Sequence, residues 1–186
     1  MSAPRIRSIL VGVEVEKRDG PDTVLATAVG LAGALDADLH VFHAVESGPF
    51  DPPLLPSLSE EMAVADRALA VHLEEQVAAD TPLASRRVGV GRPDRVLAER
   101  AAEVGADLLV LGPHRGHLAG AALGTTTDRL LRTTPVPCWI ARGELELPLR
   151  SLAVATDFSD ESRPALDLAL ALADRLGGAA DAAGAS

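Results

Sequence analysis

The chain has 186 residues, a formal net charge of −10 at pH 7 and a hydrophobic fraction of 47%. This length suffices for one ordinary domain with a modest extension, and the apolar content suffices for a hydrophobic core. The acidic balance argues against a nucleic-acid backbone as partner. The aromatic side chains are too few for a platform on which single-stranded bases stack; they are Phe42, Phe50, Phe158 and Trp139.

The cysteine count and the N-terminal segment indicate the cellular compartment that we expect. Cys138 is the only cysteine, which excludes a disulfide framework and a cluster of thiolate metal ligands. The first 14 residues lack the long apolar stretch of a signal peptide or a membrane span. We therefore expect a cytoplasmic protein that has no membrane partner.

The first half of the chain alternates short apolar runs with helical patterns. Residues 9–13 and 38–45 read as strands, and apolar residues at helical spacing fill residues 24–35 between them. A proline-rich loop follows, and Ser57 or Ser59 can cap the next helix.

The second half continues this alternation. Residues 87–91, 108–111 and 136–141 read as strands. A helix that begins at Pro93 and is ended by Gly105, and a second helix over 125–132, separate these strands. Pro135 directly precedes the last strand and Pro137 lies within it, which suits an edge position. Five strands alternating with helices predict an α/β, Rossmann-like fold with a doubly wound parallel sheet.

An internal repeat marks the C-terminal part. Residues 150–157 match residues 7–14 position by position, and an amphipathic helix follows each copy. After Leu176 the chain becomes rich in Ala and Gly and lacks strand formers. The sequence thus predicts a disordered tail over 178–186. The expected organisation is a domain over 1–142, a linker over 143–149, and a strand-plus-helix unit over 150–177.

The loop after the fourth strand carries the strongest functional signal. The pattern of residues 107–116 predicts a buried strand and a glycine-containing loop, and the hydroxyl-rich run Gly124-Thr125-Thr126-Thr127, which predicts a helix start, follows. Backbone N–H groups at such a helix start make a ready site for a phosphate. The pattern favours a nucleotide or another anion as ligand.

Five segments, taken in order, resemble the universal stress protein (UspA-like) family; they are residues 9–14, 39–45, 91–93, 106–112 and 135–140. The resemblance covers residues 6–142, and 150–177 looks like a truncated second copy. It implies an adenine nucleotide alpha hydrolase-like fold and a role in stress response and signalling. It also implies binding of ATP or AMP, with ATP and Mg²⁺ as the cofactor, and at most a weak ATPase.

ATP-binding members carry a loop of the form G-x2-G-x9-G-[ST]. Gly112 matches its first glycine and Gly124-Thr125 its final pair, but Arg115 stands where the second glycine belongs. The nearest glycine is Gly116, and the interval is one residue shorter than the pattern. Two alternatives stay open: His114 and Arg115 supply cationic contacts to a phosphate, or the loop has lost its ligand.

The same resemblance places other residues at the ligand. Val41 would lie at the adenine edge, and Glu14 replaces the usual Asp at the end of the first strand. The expected binding residues are Gly12, Val13, Glu14, Val41, Gly112, His114, Arg115, Gly116, Gly124, Thr125 and Thr126. Asp157 reads as a turn or capping residue of the second copy.

Other motifs carry less weight. No P-loop and no nucleophile elbow occurs, so we expect no catalytic residue, and the spacing of the histidines does not predict a metal site.

The family resemblance implies a homodimer that pairs through residues 136–141. Two alternative functions remain. One is a nucleotide-free dimeric interaction module. The other is a relative of the ATP pyrophosphatases, whose Ser-Gly-Gly loop is absent from residues 14–20.

Overall fold

Strands and helices alternate along the computed structural model, which describes residues 4–15, 20–46, 55–113, 125–177 and 179–184. The strands are β1 (Ser8–Val13), β2 (Asp38–Val45), β3 (Ser85–Val90), β4 (Leu108–Leu111), β5 (Cys138–Ile140), β6 (Ser151–Thr156) and β7 (Ala179–Gly184). The helices are α1 (Thr23–Leu35), α2 (Leu55–Gln76), α3 (Pro93–Glu103), α4 (Thr125–Thr133) and α5 (Arg163–Leu176).

The first five strands form one parallel sheet in the order β3-β2-β1-β4-β5. The chain runs outward from β1 to β3, then crosses back through α3 to β4 on the other side of β1. The predicted doubly wound α/β fold is therefore confirmed. Its topological switch point lies between β1 and β4, which is where open α/β sheets bind their ligands.

Two hydrophobic clusters cover the two faces of this sheet. Alternate residues of a strand point to opposite faces, so Ile9 and Val11 lie in one cluster while Leu10 lies in the other. The first cluster holds the apolar faces of α1 and α2, and the second holds those of α3 and α4. Burial on both faces explains why β4 is apolar without alternation.

Element boundaries differ from the sequence prediction for β3, α2 and β5. Strand β3 is Ser85–Val90 rather than the predicted 87–91. Helix α2 begins at Leu55, so Ser57 and Ser59 lie within the helix rather than at its N-cap. Proline is tolerated in the first helical turn, where its missing N–H would have no helical partner, so Pro56 does not delay the helix start. Strand β5 covers only Cys138–Ile140 of the predicted 136–141.

Strands β6 and β7 form a separate two-stranded parallel sheet, with α5 as the crossover between them. The predicted disorder over 178–186 is wrong for the backbone of residues 179–184. The ladder of backbone hydrogen bonds does not require β-branched side chains, so an Ala-rich strand can pair with β6. Asp157 is a turn residue, as predicted: its Oδ1 accepts hydrogen bonds from the N–H and hydroxyl of Ser159, and these lower the pKa of its carboxyl to about 2.

The C-terminal unit packs on α1 of the same chain. Leu172 and Leu176 of α5 belong to the same buried cluster as the apolar face of α1. The Leu149 N–H donates to the Leu176 carbonyl at 2.8 Å, which ties the preceding connection to the end of α5. This packing removes most of the apolar face of α5 from water.

A membrane-crossing helix is not found: none of the helices in the described ranges combines sufficient length with sufficient apolar character.

Candidate functional site

A cleft of about 650 Å³ opens at the carboxyl edge of the sheet, at the switch point between β1 and β4. The end of β1 supplies Gly12, Val13 and Glu14, and the end of β4 supplies Gly112. The start of α4 supplies Thr126 and Thr127, and further lining residues are Val15, Asp22, Thr23, Val24, Phe42, His43, Ala44, Val45, Glu46, Ala68, Pro93, Leu97, Leu111 and Pro113. The sequence motifs from β1 and β4 thus meet at one site.

Close packing explains the two glycines of the cleft floor. A Cβ on Gly12 would lie 3.1 Å from Leu97 Cδ2, and a Cβ on Gly112 would lie 3.0 Å from Val24 Cγ2. Both distances are shorter than ordinary van der Waals contact. The packing of α1 and α3 against the strand ends therefore accounts for both glycines, whether or not a ligand is bound.

The first turn of α4 faces the cleft. Thr127 is buried, and its hydroxyl donates a 3.3 Å hydrogen bond to the Gly112 carbonyl, which fixes the helix start against the end of β4. The first N–H groups of a helix have no partner within it and carry partial positive charge. This arrangement can hold an anion beside Thr126.

A buried carboxylate that the sequence analysis did not single out joins two walls of the cleft. Asp22 is the N-cap of α1, and its Oδ1 accepts 3.0 Å hydrogen bonds from the N–H groups of Val24 and Leu25. Its Oδ2 lies 2.9 Å from His72 Nε2, and its own N–H donates to Gln76 Oε1 at 2.8 Å. These contacts fasten α2 to the N-terminus of α1.

The cleft lining is acidic in the described part of the chain. It carries the carboxylates of Glu14, Asp22 and Glu46, and no Arg or Lys is among the described lining residues. Two arginines lie close by: Arg92 precedes the lining residue Pro93, and Arg129 lies one turn after Thr126. Both contact Asp94, the second residue of α3.

The structure separates Val41 from the other predicted binding residues. Val41 is fully buried in the core cluster of α1 and α2, whereas its neighbours Phe42 and His43 line the cleft. His43 Nδ1 is 2.9 Å from the Val13 carbonyl, so its imidazole bridges the ends of β1 and β2.

Five predicted residues line the cleft: Gly12, Val13, Glu14, Gly112 and Thr126. Thr125 is the first residue of α4. The remaining four, His114, Arg115, Gly116 and Gly124, lie outside the described residues.

Two parts of the cleft lining were not predicted from the sequence: the end of β2 and Asp22, which is the N-cap of α1. His43, Ala44 and Val45 end a strand adjacent to β1, and the carboxyl ends of parallel strands share one edge of the sheet. Asp22 lies two residues before Val24, where the apolar periodicity of α1 begins, and an Asp just before such a pattern is the usual signature of an N-cap. Both signals were present in the sequence.

Groups that hold metals do not converge in the described ranges, where no cluster of three or more His, Cys, Asp or Glu could hold an ion. Cys138 is half-buried on β5, and this burial raises the pKa of its thiol. A neutral thiol is a weak nucleophile and a weak metal ligand.

Comparison with known proteins places this chain in a family. The model of the universal stress protein family matches residues 5–142, which is most of the chain. The chain belongs to the universal stress protein family. Universal stress protein UspA from Lactobacillus plantarum has a similar structure, with a TM-score of 0.56 and 23% identity, over 75% of this chain and 99% of that one.

A second solved structure has the same fold but a longer chain. It is a universal stress protein from Pseudomonas aeruginosa UCBPP-PA14, with a TM-score of 0.53 and 24% identity. The similarity covers 73% of this universal stress protein and 47% of that chain. A search of the curated proteins gives no match.

Proposed function

We propose that this universal stress protein binds an adenine nucleotide in the cleft between β1 and β4 and acts in stress response and signalling. One observation carries the proposal: the first turn of α4 faces a cleft at the topological switch point. The cleft volume of about 650 Å³ falls within the range of roughly 300–1,000 Å³ that is typical of small-molecule sites.

The two ends of the cleft suit the two ends of a nucleotide. At one end, Gly112 and Thr126 offer backbone N–H groups and a hydroxyl to the phosphates. At the other end, Phe42 and Ala44 supply apolar surface for the base, and Glu14 lies within the lining as an acceptor for ribose hydroxyls. ATP with Mg²⁺ is the proposed form of the ligand, and His114 and Arg115 are proposed as further phosphate contacts.

A charge placed at the helix start tests the proposal without harming the fold. Thr126→Asp adds a carboxylate where the phosphate is expected, yet acidic residues in the first turn stabilise a helix. We expect wild-type protein to show a thermal shift and a calorimetric binding signal with ATP or AMP, and Thr126→Asp to lose both. Thr133→Asp, which adds the same charge at the far end of α4, should bind as the wild type does.

A second candidate function is a nucleotide-free interaction module. The acidic lining favours it, because Glu14, Asp22 and Glu46 repel phosphates and the described lining has no cation. Native mass spectrometry of freshly purified protein separates the two candidates. Co-purifying ATP or AMP supports nucleotide binding. An empty protein without a thermal shift in millimolar ATP and Mg²⁺ supports the interaction module.

We also propose a cytoplasmic homodimer. Strand β5 is the last strand of the sheet order, and within the described chain it pairs only with β4. An edge strand of this kind offers a row of backbone hydrogen-bonding groups to a second copy of the protein. Antiparallel or parallel pairing of two such edges would join two sheets into one.

The C-terminal unit is proposed to be a truncated second copy of the domain. Its order β6-α5-β7, with parallel strands, has the same form as β1-α1-β2. Ser151 begins β6 and Arg150 precedes it, as Ser8 begins β1 and Arg7 precedes it. In this account α5 packs on α1 because the unit lacks the remaining strands that would bury its apolar helix face.

A further inference from the structure

Two arginines share one carboxylate beside the cleft. Arg92 Nη2 lies 2.8 Å from Asp94 Oδ2, and Arg92 Nε lies 3.3 Å from Asp94 Oδ1. Arg129 Nη1 lies 4.0 Å from the same Oδ1. The arrangement links the start of α3 to α4 and places two guanidinium groups around a single counter-ion.

Both arginines come from segments that line the cleft. Arg92 is the N-cap of α3 and directly precedes Pro93, which is a lining residue. Arg129 lies one turn after Thr126, and side chains on a helix lean toward its N-terminus. The Arg129 side chain therefore extends toward the end of α4 that faces the cleft.

The charges around Asp94 do not cancel. Two guanidinium groups face one carboxylate, so a positive charge remains at this rim, next to a cleft whose described lining is acidic. The Asp94 side chain is 11% exposed, while those of Arg92 and Arg129 are 48% and 55% exposed. The carboxylate is thus fixed within the protein, and the guanidinium groups have room to contact a second anion from the solvent side.

We propose that Arg92 and Arg129 clamp the outer phosphates of the nucleotide, so that the cleft prefers nucleoside di- and triphosphates to monophosphates. This inference rests on the proposed nucleotide binding. A phosphate held at the start of α4 leaves any further phosphates to extend toward the rim. Guanidinium groups bind phosphate oxygens through two parallel N–H donors, which makes arginine better suited than lysine to this role.

A purely structural role predicts a different result. If the two arginines only join α3 to α4, their removal lowers stability and weakens the binding of all nucleotides alike. A phosphate clamp instead changes the ratio of the ATP and AMP affinities. This ratio is therefore the decisive measurement.

The experiment is isothermal titration calorimetry of the full chain with ATP and with AMP, at two salt concentrations. For the double variant R92Q/R129Q we expect ATP affinity to fall about tenfold, which is a common loss for a pair of charge-assisted hydrogen bonds. AMP affinity should stay within about twofold of the wild type, because no phosphate reaches the rim. R132Q is the matched control, since Arg132 also lies on α4 in an ion pair, with Asp128.

A charge-conserving variant separates charge from geometry. R92K/R129K should recover part of the preference for ATP, and its ATP affinity should fall with rising salt more steeply than that of R92Q/R129Q. An unchanged ATP-to-AMP ratio in R92Q/R129Q overturns the clamp while nucleotide binding stands. Wild-type protein that binds neither nucleotide overturns the proposed function and the clamp together.

Discussion

The guanidinium of Arg175 donates a 2.8 Å hydrogen bond to the backbone carbonyl of Leu35. Leu35 is the last residue of α1, so its carbonyl has no acceptor role within that helix. The positive charge of Arg175 also lies at the negative end of the α1 dipole. One side chain of α5 therefore caps a helix of the main domain and links the C-terminal unit to it.

Replacing Arg175 with methionine tests this link. Arg175→Met keeps much of the apolar stem but removes the donors, and we expect the free energy of unfolding to fall by about 1 kcal/mol. Urea denaturation followed by circular dichroism measures the change. Arg163→Met, at the exposed start of α5, is the control and should leave the midpoint unchanged. Equal midpoints for both variants would argue against the cap.

Apolar packing should contribute more to this docking than the hydrogen bond does. Leu172 is 7% exposed in the cluster that includes α1, whereas Leu170 on the same helix is 51% exposed. We expect Leu172→Ala to lower the free energy of unfolding by roughly 2–3 kcal/mol and Leu170→Ala to lower it by less than about 0.5 kcal/mol. Both values come from the same urea titration, so the difference between them reports burial alone.

Deleting residues 143–186 extends that test to the whole unit. The deletion removes α5 and exposes the apolar residues of α1 that α5 contacts. The truncated protein should therefore melt at a lower temperature or associate with further copies of itself. Light scattering and thermal denaturation measure these outcomes. An unchanged mass together with unchanged stability would contradict the docking of α5 on α1.

The buried carboxylate of Asp22 gives a prediction for the cleft wall. Asp22→Ala removes the N-cap of α1 and leaves His72 without its partner, whereas the N–H of residue 22 can still donate to Gln76, so we expect the free energy of unfolding to fall by about 2 kcal/mol. Asp22→Asn keeps an acceptor for the N–H groups of α1, so its free energy of unfolding should fall by less. Thermal denaturation of the two variants gives this order. A ranking in which Asn is worse than Ala would contradict the capping role.

The sheet could be predicted from the sequence because its signals are local. Residues 108–111 form a continuous apolar run, Gly105 follows a helix, and Pro93 opens one. In the structure Gly105 has φ +59, and the Ala106 N–H donates to the Ala101 carbonyl, as a glycine-terminated helix requires. These features depend on neighbours within a few residues, so a single sequence reveals them.

The contacts between distant segments could not be predicted in this way. Asp22 meets His72 only because α1 and α2 cover the same face of the sheet, and no local pattern encodes that pairing. Strand β7 was missed for a related reason: its Ala-rich sequence has low strand propensity, and its pairing with β6 depends on the crossover through α5. For the candidate site, the motifs located the ends of β1 and β4 but not the contribution of β2.

The side chains of His40, Ser85 and Arg100 form a hydrogen-bonded group near the amino ends of β2 and β3. This group predicts a pH dependence of stability. His40 Nδ1 lies 2.7 Å from Ser85 Oγ, which also accepts a 2.7 Å hydrogen bond from Arg100 Nη2. Burial, and then the charge of Arg100, lower the pKa of His40 below its ordinary value of 6.5, and Asp38 partly opposes this. Neutral His40 accepts a hydrogen bond from the Ser85 hydroxyl, whereas a protonated imidazole adds positive charge beside Arg100.

The sign of the effect follows from proton binding. Below about pH 6.5 the unfolded chain protonates His40 before the folded protein does, so stability falls as the pH falls toward the lowered pKa. His40→Asn removes this group, and its free energy of unfolding should depend less on pH in that interval. Urea titrations at several pH values measure both slopes. Parallel curves for wild type and His40→Asn would contradict the prediction.

The proposed dimer can be tested at one backbone group of β5. The Pro137 carbonyl accepts from the Leu109 N–H at 2.9 Å, and the Ala141 N–H donates to the Leu111 carbonyl at 2.8 Å. Backbone groups of successive strand residues alternate in direction, so the N–H of Ile140 points away from β4 toward the outer edge.

Ile140→Pro deletes this outward donor and leaves the ladder between β4 and β5 intact, since proline is accepted at edge positions that face outward. We expect a dimeric wild type and a monomeric variant in size-exclusion chromatography with light scattering. Ile140→Val keeps the N–H, costs about 1 kcal/mol of packing, and should remain dimeric. Circular dichroism verifies that Ile140→Pro is folded. If the folded variant has the mass of the wild type, residues 138–140 are not the interface, and the dimer proposal fails in this form.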